Sequence, residues 1–257
     1  MLAAEYPTLP SPMQAAVVGF FDHNEDWLEA VQGAQAAGQR AAWPMSLGHS
    51  RRSTVMTMAE PDNAVDVGPA ARRLADLVAS VKDDALDRPT PCPAYSLGDL
   101  IEHVGGLALA FAAAGRKEPN ANTGPPPAGD ASRLGADWRE RIPRDLTALA
   151  QTWAEPEAWT GMTRIAGDET PAAVVGLVLA DELAVHGWDV ARASRQPYAC
   201  EPEILSAAVK FLQMFASPDA PAGPEVAFGP ARVLLDEAPL LDRVVGLAGR
   251  DPGWSPA

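Results

Sequence analysis

Asp181-Glu182-Leu183-Ala184-Val185-His186-Gly187-Trp188-Asp189 is the stretch from which the fold is read. Glu182 and His186 are four residues apart, so in a helix both side chains lie on one face, one turn apart. The preceding run, Ala172-Ala173-Val174-Val175-Gly176-Leu177-Val178-Leu179-Ala180, is apolar, and Val175, Val178 and Leu179 stand seven, four and three residues ahead of Glu182. The polar pair therefore continues a stripe that faces the core. A carboxylate and an imidazole there are costly to bury unless paired or bound to a metal. Three readings fit the spacing: a buried Glu–His ion pair, an acid–base pair, and two ligands of one metal.

The chain has four histidines, and His23 and His49 sit in an N-terminal stretch of different character. His103 remains. It lies in a second helical pattern, where Leu100, Val104, Leu107 and Phe111 mark the apolar face and Leu100 and Leu107 flank the histidine. Two inward histidines and one inward glutamate on two helices of a bundle can form a three-ligand metal site. On spacing alone, a core ion pair accounts for them as well.

A net charge of −14 over 257 residues argues against nucleic acid, which needs clustered positive charge, and against an anionic membrane surface. No apolar run reaches the length of a transmembrane span, and the opening residues lack the basic segment of a signal peptide. The expectation is a cytoplasmic protein. Cys92 and Cys200 are too few for a disulfide framework, and Cys92, between two prolines, reads as a small residue in a tight turn. Gly246-Leu247-Ala248-Gly249 lacks the spacing of a dinucleotide-binding loop.

The periodicity predicts a first helix over Pro69–Leu86, broken by Pro89-Thr90-Pro91-Cys92-Pro93. Ser96 and Asp99 form a near capping box for the second helix, which ends around Gly115-Arg116-Lys117. Glu118–Arg133, rich in Pro, Gly and Asn, reads as a long mobile loop. A third helix follows over Ala136–Trp153 with Pro143 at a bend, then a short strand at Met162–Ile165. Thr170 as cap and Pro171 as first residue open the fourth helix. Further helices are predicted at Pro202–Phe215 and Ala238–Leu247, an extended segment at Val226–Leu235, and Trp254 packed back on the bundle. Residues 1–57 read as a separate extension, with a helix over Gln14–Val31, or as an upstream remnant of a misplaced start.

Three segments together carry a family resemblance: Pro89-Thr90-Pro91-Cys92-Pro93-Ala94-Tyr95-Ser96-Leu97-Gly98-Asp99-Leu100-Ile101-Glu102-His103-Val104-Gly105-Gly106, then Asp181 to Ala191, then Leu240 to Trp254. They resemble the actinobacterial metal-binding family of the mycothiol-dependent maleylpyruvate isomerase N-terminal domain, within the wider DinB/YfiT-like superfamily. The likeness covers residues 58–257 as one domain, apart from the last few positions. It implies a mainly α fold, a DinB-like four-helix bundle with an extra C-terminal helix and short extended segments. It also implies a divalent metal, most often zinc, with His103, Glu182 and His186 in the ligand positions.

The partners implied are a small-molecule thiol such as mycothiol and an electrophilic substrate. Thiol addition, bond rotation and elimination would isomerise a maleylpyruvate-like substrate, and the same thiolate would give S-transfer to other electrophiles. Binding of metal and ligand without turnover is the alternative, and a homodimer is compatible with the family. Asp189, three residues after His186, reads either as the group that fixes the imidazole tautomer or as a surface or helix-capping carboxylate. Tyr95 stands where many relatives have Trp. Separately, residues 15–31 resemble a helix of the ligand-binding half of TetR-type regulators, with no helix-turn-helix beside it.

Overall fold

In the computed structural model, the described residues are 64–213 without 94 and 125–127, and 230–256 without 233. They form α1 (Gly68–Ala79), α2 (Leu97–Gly115), α3 (Trp138–Trp153), a hairpin of β1 (Met162–Ile165) and β2 (Asp168–Pro171), α4 (Ala172–Ser194), α5 (Pro202–Leu212) and α6 (Leu240–Leu247). The fold is mainly α. Helix α3 packs against α1 and α2, and α4 closes the ring by packing against the same two. Helix α5 lies on α4, and α6 covers α5 and touches α4.

The capping box predicted at Ser96 is complete: Ser96 Oγ accepts from Asp99 N at 3.2 Å, and Asp99 Oδ2 accepts from Ser96 N at 3.0 Å. This satisfies two otherwise orphaned donors and fixes the first turn of α2. By length and composition α2 is the one described helix that could cross a membrane, but it is largely buried inside the bundle. Trp153 Nε1 donates to Phe111 O at 2.9 Å, tying α3 to α2 through the core.

Helix α1 stops at Ala79, not Leu86. Val81 and Ala85 keep the apolar period, yet Arg139 of α3 donates to Val81 O at 2.9 Å and to Asp83 Oδ1 at 2.7 Å. The chain turns extended at Lys82 and re-enters a 3-10 turn over Asp83–Ala85. Thr170 is not the cap of α4 and Pro171 is not its first residue: Pro171 takes the N-cap position, with no side-chain hydrogen bond. Both belong to β2, paired with Thr163 and Met162, and α4 starts at Ala172 with no side-chain cap. The hairpin turn uses Ala166 (φ 53°) and Gly167 (φ 100°), the two left-handed residues a tight twisted turn demands. Pro143 lies within α3, where it forfeits one intrahelical bond.

Helix α4 is buried on nearly every side rather than on one stripe, because α1, α2 and α5 all pack on it. Gly187 belongs to that packing. A Cβ there would meet Tyr198 Oη at 2.6 Å, and Tyr198 donates to Ala184 O at 2.9 Å from that position. Trp188 is buried and stacks under Arg192, as a packing residue should. Trp254 is half-buried.

The predicted helix at 14–31, His23, His49 and the TetR-like stretch lie outside the described residues, as do positions 214–229 and half of the extended segment at 226–235. Every described helix begins at Gly68 or later. A chain starting at Met56 should therefore fold and melt in one cooperative transition; insolubility or loss of cooperativity would place residues 1–55 in the core.

Candidate metal centre

One ligand-capable atom from each of His103, Glu182 and His186 lies within 4.8 Å of the others. The capping box sets α2 so that His103 faces α4, and the four-residue spacing places Glu182 and His186 on one face of α4. His186 Nε2 is 2.9 Å from Glu182 Oε2, and the His103 and His186 rings meet edge to face with centroids 5.2 Å apart. The Tyr95 ring packs tilted against His103 with centroids 5.3 Å apart, and its hydroxyl accepts from Gly129 N at 3.3 Å.

Asp189 is a fully buried carboxylate whose Oδ2 lies 3.1 Å from His186 Nδ1. The surface-carboxylate reading does not describe it. With Nδ1–H directed at Asp189, His186 presents Nε2 toward Glu182 and His103, as a ligating imidazole does. The same Asp189 oxygen accepts from Arg250 Nη2 at 3.1 Å. Arg250 is itself 6% exposed, and its Nη1 donates to Ala248 O at 2.7 Å. Sequence reasoning quoted the segment holding Arg250 but gave the residue no role. Its signal was a lone arginine after an apolar helix, which spacing alone does not connect to position 189.

Burial disfavours charge on His186, but hydrogen bonds to Asp189 and Glu182, and their charges, outweigh it and raise the imidazole to about 10. Burial and the neighbouring His186 lower His103 to about 4, so it is neutral. Burial pushes against ionisation of Glu182 and Asp189. The His186 hydrogen bond on Glu182, and the Arg250 charge on Asp189, nevertheless hold both below the usual carboxylate range. Burial, then the Glu182 charge, lifts Asp181 well above that range, and its Oδ1 is buried with no partner among the described residues. Without a metal, two carboxylates thus face one imidazolium and one guanidinium, a balanced set that makes burial tolerable.

Two imidazoles and a carboxylate, one imidazole already oriented from behind, fit a divalent ion of the zinc type. An ion taking Nε2 must displace the His186 proton. Its apparent affinity should then rise about tenfold per pH unit between pH 6 and 8. Chelator competition measures this, and a flat profile would show that no proton leaves His186 when the ion binds.

Around the centre, Glu102 receives Arg133 at 2.8 Å and Asp130 N at 3.1 Å, and Asp99 Oδ1 accepts from Ala131 N at 2.8 Å. The segment predicted as a long mobile loop is therefore tied to α2 at its end. It is also tied at Asn122, whose Nδ2 donates to Ala110 O at 2.8 Å and Arg164 O at 3.1 Å. Cys92 is buried in a turn held by Thr90, whose Oγ1 donates to Cys92 O at 2.7 Å.

The family model described as the mycothiol maleylpyruvate isomerase N-terminal domain matches residues 67–191. Two uncharacterized proteins of Mycobacterium tuberculosis, from strains CDC 1551 / Oshkosh and H37Rv, are each 31% identical over 169 residues. In both cases the match covers 64% of this chain and 81% of the relative. No solved structure matches. The matched span contains His103, Glu182, His186 and Asp189 but ends before Arg250, and the likeness extends to most of both relatives. The chain belongs to the family of the mycothiol maleylpyruvate isomerase N-terminal domain.

Proposed function

We propose that the protein binds one divalent metal, zinc in the first instance, through His103, Glu182 and His186, and uses a mycothiol-type thiol to isomerise a small electrophile or to form an S-conjugate with it. The observation that carries this is the convergence of the three donors with His186 held from behind by Asp189. Three protein ligands leave a zinc-type ion with an open position, where it would lower the pKa of a thiol.

The chain's own residues supply the setting. Asp189 keeps the His186 Nδ1 proton in place, and Arg250 keeps Asp189 ionised. Tyr95, raised to about 12 chiefly by burial, stays protonated beside His103. In the reaction the thiol sulfur forms a bond to the electrophilic carbon while the π pair of the double bond moves onto the activating carbonyl. Rotation about the resulting single bond and expulsion of the thiolate restore the double bond in the other geometry. No oxidant or reductant is consumed. If the adduct takes up the proton released by the thiol instead, the outcome is S-transfer.

Metal analysis of purified protein should give one equivalent per chain. Calorimetry of mycothiol binding at pH 6, in buffers of different ionisation enthalpy, should then count about one proton released. A thiol-conjugation assay follows on the same sample. No binding at millimolar thiol with metal fully loaded would reassign the centre to metal or ligand binding without turnover.

A further inference from the structure

We propose that a trench running from His103 along α2 binds an elongated molecule with an apolar body and a terminal carboxylate, the carboxylate held by Arg116. A cavity of about 480 Å³ lies there, within the roughly 300–1,000 Å³ range of small-molecule sites. Its floor is one helical stripe, His103, Gly106, Leu107, Ala110 and Ala113, spaced three or four residues apart. Its opposite wall is Asn122 with the hairpin residues Ile165 and Ala166. That wall is fixed in advance: Asn122 bridges Ala110 O and Arg164 O, and its own carbonyl accepts from Gly167 N at 2.7 Å. His103 enters one end as a 5% exposed imidazole that hydrogen-bonds no other described residue.

The charged groups decide the ligand's polarity. Glu102 is saturated, with Oε1 taken by Arg133 Nε at 3.0 Å and Oε2 by Arg133 Nη2 and Asp130 N. Arg116 uses only Nε, donating to Glu118 Oε1 at 2.7 Å, and its side chain is 48% exposed. Its two terminal nitrogens have no partner among the described residues. They present the forked edge that pairs with a carboxylate, and an ion pair as exposed as Arg116–Glu118 holds its members weakly. From residue 103 to residue 116 the helix rises about 20 Å, and both residues line the trench. A medium-length aliphatic acid anchored at Arg116 runs along the apolar stripe toward His103. This inference rests on the reading of His103 as part of the reacting centre.

The test titrates decanoate, decanamide and decylamine into the full-length metal-loaded protein by calorimetry, with metal content read on every sample. Decanoate should bind at least tenfold more tightly than decanamide or decylamine. Arg116→Gln should reduce decanoate to the decanamide level. Gly106→Leu should abolish binding of both while keeping metal, because a Cβ at Gly106 has nothing within 4 Å and points into open space. Equal binding of acid and amide, a preference for the amine, or indifference to either substitution would overturn the trench. So would decanoate binding that disappears with the metal but survives Arg116→Gln, since the acid would then be a metal ligand. Decanoate binding in a protein that takes up no metal would instead overturn the reading of the centre alone.

Discussion

His103→Ala and His186→Ala should each leave the purified protein with no retained metal, and the two should then part company in stability. Compared as chelator-treated proteins, His186→Ala should melt well below wild type and His103→Ala much closer to it. His103 is neutral, so its loss removes ring packing against Tyr95 and His186 but strands no charge. His186 is the imidazolium between Glu182 and Asp189. Its loss leaves two buried carboxylates facing a single guanidinium, and stranding a buried charge costs about 3–5 kcal/mol. In a domain of this size that is on the order of 10 °C. Unchanged metal content in both variants would end the ligand assignment. Equal melting temperatures would show that His186 carries no charge in the metal-free protein.

The same ion pair gives wild type a pH signature. His186 has a folded pKa raised to about 10, against about 6.5 in an unfolded chain. Its contribution is therefore full below pH 6.5 and is lost as pH rises toward 10. Melting temperatures of metal-free protein should fall across that window.

Arg250→Met should weaken metal binding about 10- to 100-fold, although Arg250 touches none of the three donors. It acts through Asp189, whose carboxylate it shares with His186. The substitution leaves a fully buried carboxylate with half its compensation, so a large drop in melting temperature should accompany the weaker binding. Asp189→Asn removes the charge that Arg250 serves. The double variant Arg250→Met, Asp189→Asn should then be more stable than the sum of the single changes predicts, because both act on one pair. Chelator competition and thermal melts of the four proteins measure this. Strict additivity would show that Arg250 stabilises the tail and not the centre.

What could be read in advance divides along the range of the interactions. Glu182 and His186 are one helical turn apart, and the capping box at Ser96 is local, so period and spacing placed both. His103 could be placed on an inward stripe and offered as their partner by elimination, but only a family likeness favoured a shared metal over a core ion pair. The end of α1 was hidden because Val81 and Ala85 continue the apolar period while Arg139, from another helix, takes Val81 O. Thr170-Pro171 carries a helix-start pattern and a strand-pairing partner at once, and the hairpin wins. The pinning of Asn122, Asp130 and Ala131 depends on Arg164, Glu102 and Asp99, all far along the chain. Arg250 meets Asp189 across 61 residues, a separation that no local pattern encodes.

That last separation sets an order of events during synthesis. His103, Glu182, His186 and Asp189 all leave the ribosome before Arg250, which is 61 residues behind Asp189. At roughly 5–20 residues per second this is an interval of about 3–12 s. Over that time Asp189 has no guanidinium to pair with. The charge that keeps Asp189 ionised is thus the last part of the centre to be made, and it arrives after all three candidate donors.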